Sequence, residues 1–121
     1  MSHYLYFSEK EFLRLTPSCA LLDMSPSFME ALDKARNRAG IPFVLNCAYR
    51  SPEWDKTKGR SGYSYHCSGR AVDIRCLDSE SRWRIIEACT YYGLSVGIYG
   101  RFLHIDNRPI PIVFFGDKNL D

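Results

Sequence analysis

One short stretch, Arg70-Ala-Val-Asp-Ile-Arg-Cys76, restricts the fold of this chain more than any other. Its alternation predicts a strand with Val72, Ile74 and Cys76 on one face and Ala71, Asp73 and Arg75 on the other. A carboxylate between two β-branched residues of a buried strand is costly to dehydrate alone, so the fold must bring a cation to Asp73. Arg70 and Arg75 are near candidates for a plain ion pair, and a metal ion is the alternative. Cysteine chemistry offers little help: the five cysteines, at 19, 47, 67, 76 and 89, are odd in number and contain no CxxC pair. That pattern argues against a disulfide framework and against a cysteine-rich zinc knuckle, so a metal is expected on other ligands.

The remaining sequence predicts one domain over residues 1–121, since this length supports a single core. Ser8-Glu-Lys-Glu11 is a capping-box pattern opening a short helix that Pro17 ends. Ser25-Pro26 opens a longer one over residues 26–39, with Phe28, Met29, Leu32 and Ala35 at helical spacing and Gly40 as its stop. Phe43 to Tyr49 reads as a strand, followed by a long polar loop from Arg50 to Ser68, and a loop of that length in so small a domain is usually functional or disordered. Asp78 or Ser79 can cap a helix running to Tyr92, with Trp83, Ile86, Cys89 and Thr90 expected inside. Two strands, Ser95 to Tyr99 and Phe102 to Asp106, meet at a tight Gly100-Arg101 turn, and Ile110 to Phe115 is a last extended piece. The order predicts an α+β fold with a small, largely antiparallel central sheet and flanking helices.

Chemistry concentrates at the edges of these strands. His66 in the loop, Asp73 seven residues on and His104 in Phe102-Leu-His-Ile-Asp106 make two imidazoles and one carboxylate, a good zinc set with a fourth position for water. Alternation sends Leu103 and Ile105 to the core and His104 and Asp106 to the opposite face, where two polar strand faces can meet around one ion. Each residue also has a plain reading: His66 as an exposed loop residue, Asp73 as a salt-bridge partner, His104 as a hydrogen-bonded, half-buried histidine. The formal charge of +2 is too small for a protein built on phosphate contacts, and residues 50 to 75 carry only a local +3, so nucleic acid is not an expected partner. No apolar run is long enough to cross a bilayer, and the start lacks the order of a secretory signal. The expectation is a monomer made in the cytoplasm without a signal peptide and without membrane insertion.

Taken together, Tyr49-Arg-Ser-Pro-Glu53, Ser64-Tyr-His66, the run from His66 to Ile74 and Phe102-Leu-His-Ile-Asp106 resemble the zinc D-Ala-D-Ala carboxypeptidase family, metallopeptidase family fifteen. That family shares its fold with the hedgehog signalling domain. The likeness spans residues 43–106 and is closest to the small bacterial and phage branch, with its YRS, SxHxxGxAxDI and F-hydrophobe-H-hydrophobe-D elements. It implies a peptidase domain with one catalytic zinc per chain on His66, Asp73 and His104. It also implies peptidoglycan stem or cross-link peptides as substrate and partner, and action at the cell wall as a phage or prophage product. Arg50 would bind the substrate carboxylate or polarise the scissile carbonyl, a role suited to a planar, always charged guanidinium, and Ser64 would add a hydrogen bond. The plain reading of Arg50 is a surface salt bridge with Glu53 or Asp55.

One departure stands out. Better-studied branches carry a catalytic Glu or Asp two or three residues before the last histidine ligand, where this chain has Arg101 and Phe102. Asp106, on the strand face of His104, is the first candidate for the catalytic base, with Glu53 and Asp55 behind it; equally, Asp106 can orient a ligand imidazole. The small scaffold, with little material to wall off a cleft, favours an endopeptidase over a carboxypeptidase. The rival class is a non-catalytic zinc-containing module that binds the cell wall, in which the metal only staples the fold. A metal-dependent nuclease using the basic loop is a weaker third class.

Overall fold

A computed structural model describes residues 4–116. Helix α1 spans Glu9–Leu13 and α2 spans Pro26–Ala39; strand β1 is Leu45–Cys47 and helix α3 is Pro52–Thr57. Strand β2 is Ala71–Arg75, helix α4 is Ser79–Tyr91, and strands β3, β4 and β5 are Ser95–Ile98, Phe102–Asp106 and Val113–Phe115. The sheet order is β1-β2-β4-β3-β5, antiparallel throughout except for the parallel β3–β5 pair at one edge. The fold is therefore α+β with a mixed, mostly antiparallel sheet. No helix among the described residues is long and apolar enough to cross a membrane.

Helix boundaries follow local chemistry. The Ser8 amide donates to Glu11 Oε2 at 2.9 Å, Pro26 occupies the first turn of α2, and Gly40 closes α2 with φ of 69°. Asp78 caps α4 by accepting from the Ser81 amide at 2.9 Å. Phe28, Met29, Leu32 and Ala35 from α2 join Ile85, Ala88 and Cys89 from α4 on one sheet face, against Val72, Ile74, Val96, Leu103 and Ile105. Burial pushes the Cys89 thiol far up, as suits an inert core side chain.

Three expectations need correction. The stretch Arg50 to Ser68 is no uninterrupted loop: it holds α3 and a 3₁₀ turn, Tyr65–Ser68. Ser51-Pro52 is the same start signal as Ser25-Pro26, with Ser51 Oγ accepting from the Trp54 amide at 3.1 Å. On α4, Trp83 is 67% exposed and Thr90 is also exposed, its hydroxyl donating to Ile86 O at 2.7 Å. Arg82 takes the inward rotation instead, donating to Cys76 O, Tyr99 O and Gly100 O, which turns its neighbour Trp83 to solvent. The first strand is shorter than expected, Leu45–Cys47, and its register shifts between Leu45 and Cys47, with consequences for the site.

The second sheet face is the polar one, and it too is buried: Asp73, Ser95, His104 and Asp106 are at most 8% exposed. The 3₁₀ turn lies over β2 and is tied to the start of α2, where the Ser25 amide donates to Gly69 O at 2.8 Å. Gly69 ends that turn with φ of 69°, and a Cβ there would stand 2.2 Å from Asp23 O. Glycine is required on both counts. Gly69→Ala is expected to destabilise the protein by more than about 2 kcal/mol, the sum of left-handed strain and backbone clash, read as a lower urea midpoint.

Candidate metal centre

Cross-strand register brings the candidate ligands together. Asp73 pairs with His104 across β2–β4, and His66 reaches over them from the 3₁₀ turn. His66 Nε2 lies 3.2 Å from Asp73 Oδ1, and His104 Nδ1 lies 3.2 Å from the same oxygen. The other nitrogen of each ring is held by an acceptor: His66 Nδ1 donates to Ala48 O at 2.8 Å, and His104 Nε2 donates to Asp106 Oδ2 at 2.7 Å. These outer bonds assign the ring protons, so both inner nitrogens present either a lone pair or a second proton to Asp73.

That arrangement fits a metal. Zinc held by nitrogen and oxygen donors at 2.0–2.1 Å in tetrahedral geometry sets those donors about 3.3 Å apart, close to the 3.2 Å seen on either side of Asp73. Holding the far nitrogen of a ligand imidazole on a carbonyl or carboxylate is also how metal sites orient their rings. Asp106 is fully buried, and Arg108 pairs with it through Nη2 at 2.6 Å and Nε at 3.0 Å. Burial alone would raise the Asp106 carboxyl, but His104 and Arg108 hold it well below the usual carboxylate range.

Cys47 was not expected among the candidate ligands. Its Sγ lies with donor atoms of His66 and Asp73 in a group whose members are all within 4.8 Å of one another, and all three residues are buried. The group makes Cys47 a candidate ligand that the spacing of the cysteines did not suggest, and His104, which meets Asp73 Oδ1 at 3.2 Å, is not a member of it. The sequence signal that misleads is spacing, because Cys47 reaches the site from another strand and has no CxxC partner. Cys67, next to His66, instead faces Asp55 at 3.6 Å and Ser64 at 3.7 Å.

Arg50 is only 2% exposed and pairs with the fully buried Asp55, its Nε 3.1 Å from Oδ1. The surface salt bridge entertained for Arg50 is therefore a buried one. Its Nη1 also donates to Cys47 Sγ at 3.6 Å and its Nη2 to Ser64 Oγ at 3.4 Å. Glu53 is exposed on α3, while Arg101 is exposed and Phe102 half-buried at the start of β4.

The Peptidase M15 family model matches residues 7–106. The chain belongs to this family. Membership implies a metallopeptidase, and the family is zinc-dependent, in agreement with a donor set of imidazole, carboxylate and thiol. No curated protein and no solved structure matches the chain.

Without metal, the M15 site holds protons in its place. Burial disfavours a charged His66, but Asp73 outweighs it and pushes the imidazole pKa up to about 10; His104 is likewise raised above its ordinary value by Asp106 and Asp73, against burial. A raised folded-state pKa stabilises the metal-free protein fully below the unfolded histidine value of about 6.5 and loses that contribution as pH climbs through the folded value. Zinc must displace the same protons, so its affinity runs the other way. With chelator present, Tm is expected to fall from pH 7 towards 10, while zinc affinity by calorimetry rises from about pH 6 to 8. Removing one partner of the buried Arg50–Asp55 pair strands a charge, so Arg50→Ala is expected to cost about 3–5 kcal/mol by urea denaturation.

Proposed function

We propose that this M15 protein hydrolyses peptide bonds in the stem or cross-link peptides of bacterial peptidoglycan, as an endopeptidase in preference to a D-Ala-D-Ala carboxypeptidase. The convergence of His66 Nε2 and His104 Nδ1 on Asp73 Oδ1 carries the reading. His66, Asp73 and His104 would hold one zinc, which supplies Lewis acidity for polarising a peptide carbonyl and activating water. The chain's own contribution is to keep both rings oriented, His66 through Ala48 O and His104 through Asp106. Action on the cell wall as a monomer, without nucleic acid or membrane insertion, belongs to the same proposal.

Of the two roles open to Asp106, the geometry supports orientation. Both of its oxygens are engaged by Arg108, and Oδ2 accepts from His104 as well, so it is a positioning residue for a ligand imidazole. Arg50 and Ser64 are assigned the substrate side, Arg50 exchanging part of its pairing with Asp55 for a peptide carboxylate or the scissile carbonyl. The endopeptidase preference rests on the small scaffold, which has little material to wall off a cleft.

One observation favours a second reading, a zinc-stapled module that binds the wall without cutting it: positions 101 and 102 lack a carboxylate, and Asp106 is occupied. Digestion of purified muropeptides with mass spectrometry separates the two. The peptidase reading expects new internal amines that chelator abolishes and zinc restores; retention of intact muropeptides with zinc bound would leave the module. Asp106→Asn is expected to weaken zinc binding about 10–100-fold, as loss of a ring-orienting partner does, whereas a base would lose turnover at unchanged affinity.

A further inference from the structure

We infer that Cys47 is a fourth metal ligand, so that the resting site is closed by a thiolate which substrate or water must displace. This rests on the reading of His66, Asp73 and His104 as ligands and adds a residue to them.

The argument begins with strand register. Leu45 pairs with Ile74, and an unbroken antiparallel ladder would then set Cys47 opposite Val72, a residue of the core face. Instead the register shifts between Leu45 and Cys47, and Cys47 pairs with Asp73. A one-residue shift in a strand moves a side chain to the other face of the sheet. Leu45 thereby packs against the core while Cys47 joins the polar face, in a transverse row that continues from Asp73 to His104. A bulge that serves packing alone has no cause to move a small apolar side chain out of the core and into contact with a histidine and a carboxylate.

The chemistry of the neighbours agrees. Cys47 is 8% exposed, and its sulfur shares a 4.8 Å group with His66 and Asp73 donors that are 1% exposed each. The Arg50 guanidinium donates to the sulfur at 3.6 Å, which fixes the sulfur beside the other donor atoms. On metal uptake the S–H bond breaks, its proton passes to solvent, and the sulfur's electron pair goes to the metal. Zinc accepts mixed sulfur, nitrogen and oxygen sets, and four protein ligands make a closed site whereas three leave one position open. Arg50 then has a part in the resting state, holding the sulfur in place by a hydrogen bond, before any substrate arrives.

Cobalt(II) is the probe, because thiolate ligation gives it a sulfur-to-metal charge-transfer band in the near ultraviolet that nitrogen and oxygen ligands do not. The full-length protein, stripped with chelator and reloaded with one equivalent of cobalt, is expected to show the band; Cys47→Ser is expected to bind one cobalt and lack it. X-ray absorption on the zinc forms is expected to show one sulfur at about 2.3 Å in the parent and none in the variant. One bound cobalt without the band, or a band that persists in Cys47→Ser, overturns the inference and leaves the metallopeptidase reading intact. Failure of the parent to bind cobalt or zinc overturns both. Cys47→Ala serves as the second variant, and the parent's own absorption spectrum decides the question even if neither variant folds.

Discussion

The buried carboxylate of Asp73 is the constraint around which the polar half of this molecule is organised. At 1% exposure it cannot be left to water, and a lone ionised carboxylate in such a place is prohibitively costly. Two imidazoles answer it from different elements, His66 from the 3₁₀ turn and His104 from β4, both on the same oxygen. Each ring is in turn pinned from behind, by the exit of β1 at Ala48 and by Asp106 with its Arg108 partner. The inner shell is either protonated or metallated, and the same bonds hold it ready for both.

Around that shell the fold spends material that a 121-residue chain has little of. The connection between β1 and β2 carries a short helix and a 3₁₀ turn, and its ends are fixed by Gly69 against the start of α2 and by Arg50 against Asp55. A buried ion pair is weak support for stability by itself, since dehydration consumes most of its attraction. Its use here is directional: Arg50 is held where it reaches both Cys47 and Ser64. The apolar face of the sheet, covered by α2 and α4, carries the hydrophobic stabilisation, which frees the other face for charge.

Much of this was legible in the residues. The faces of β2 and β4 follow from alternation, because the period of two is a property of the pleat; the helix starts at Ser25-Pro26 and Asp78 follow from which backbone amides lack partners. Where reading failed, tertiary contact overrode local pattern. Trp83 looked like an inward residue on apolarity, but Arg82 finds two backbone carbonyls of the β3–β4 turn and a third just after β2, and its neighbour Trp83 faces solvent. Ser51-Pro52 carried a helix-start signal that the surrounding polar residues masked, since α3 is too short to show an apolar stripe.

Sequence alone determined that Asp73 would be buried and need a cation, that His66 and His104 were available to it, and that the fold would be α+β with a small sheet. These follow from spacing and alternation, which are local. Only the tertiary structure decided that Cys47 faces the metal group, since that depends on a one-residue shift in the pairing of β1 with β2. It alone also showed that Asp106 is spent on His104 and Arg108, and that Arg50 is neutralised by Asp55 inside the protein. Distances between side chains from separate elements are set by how those elements pack, and no pattern along a single chain records them.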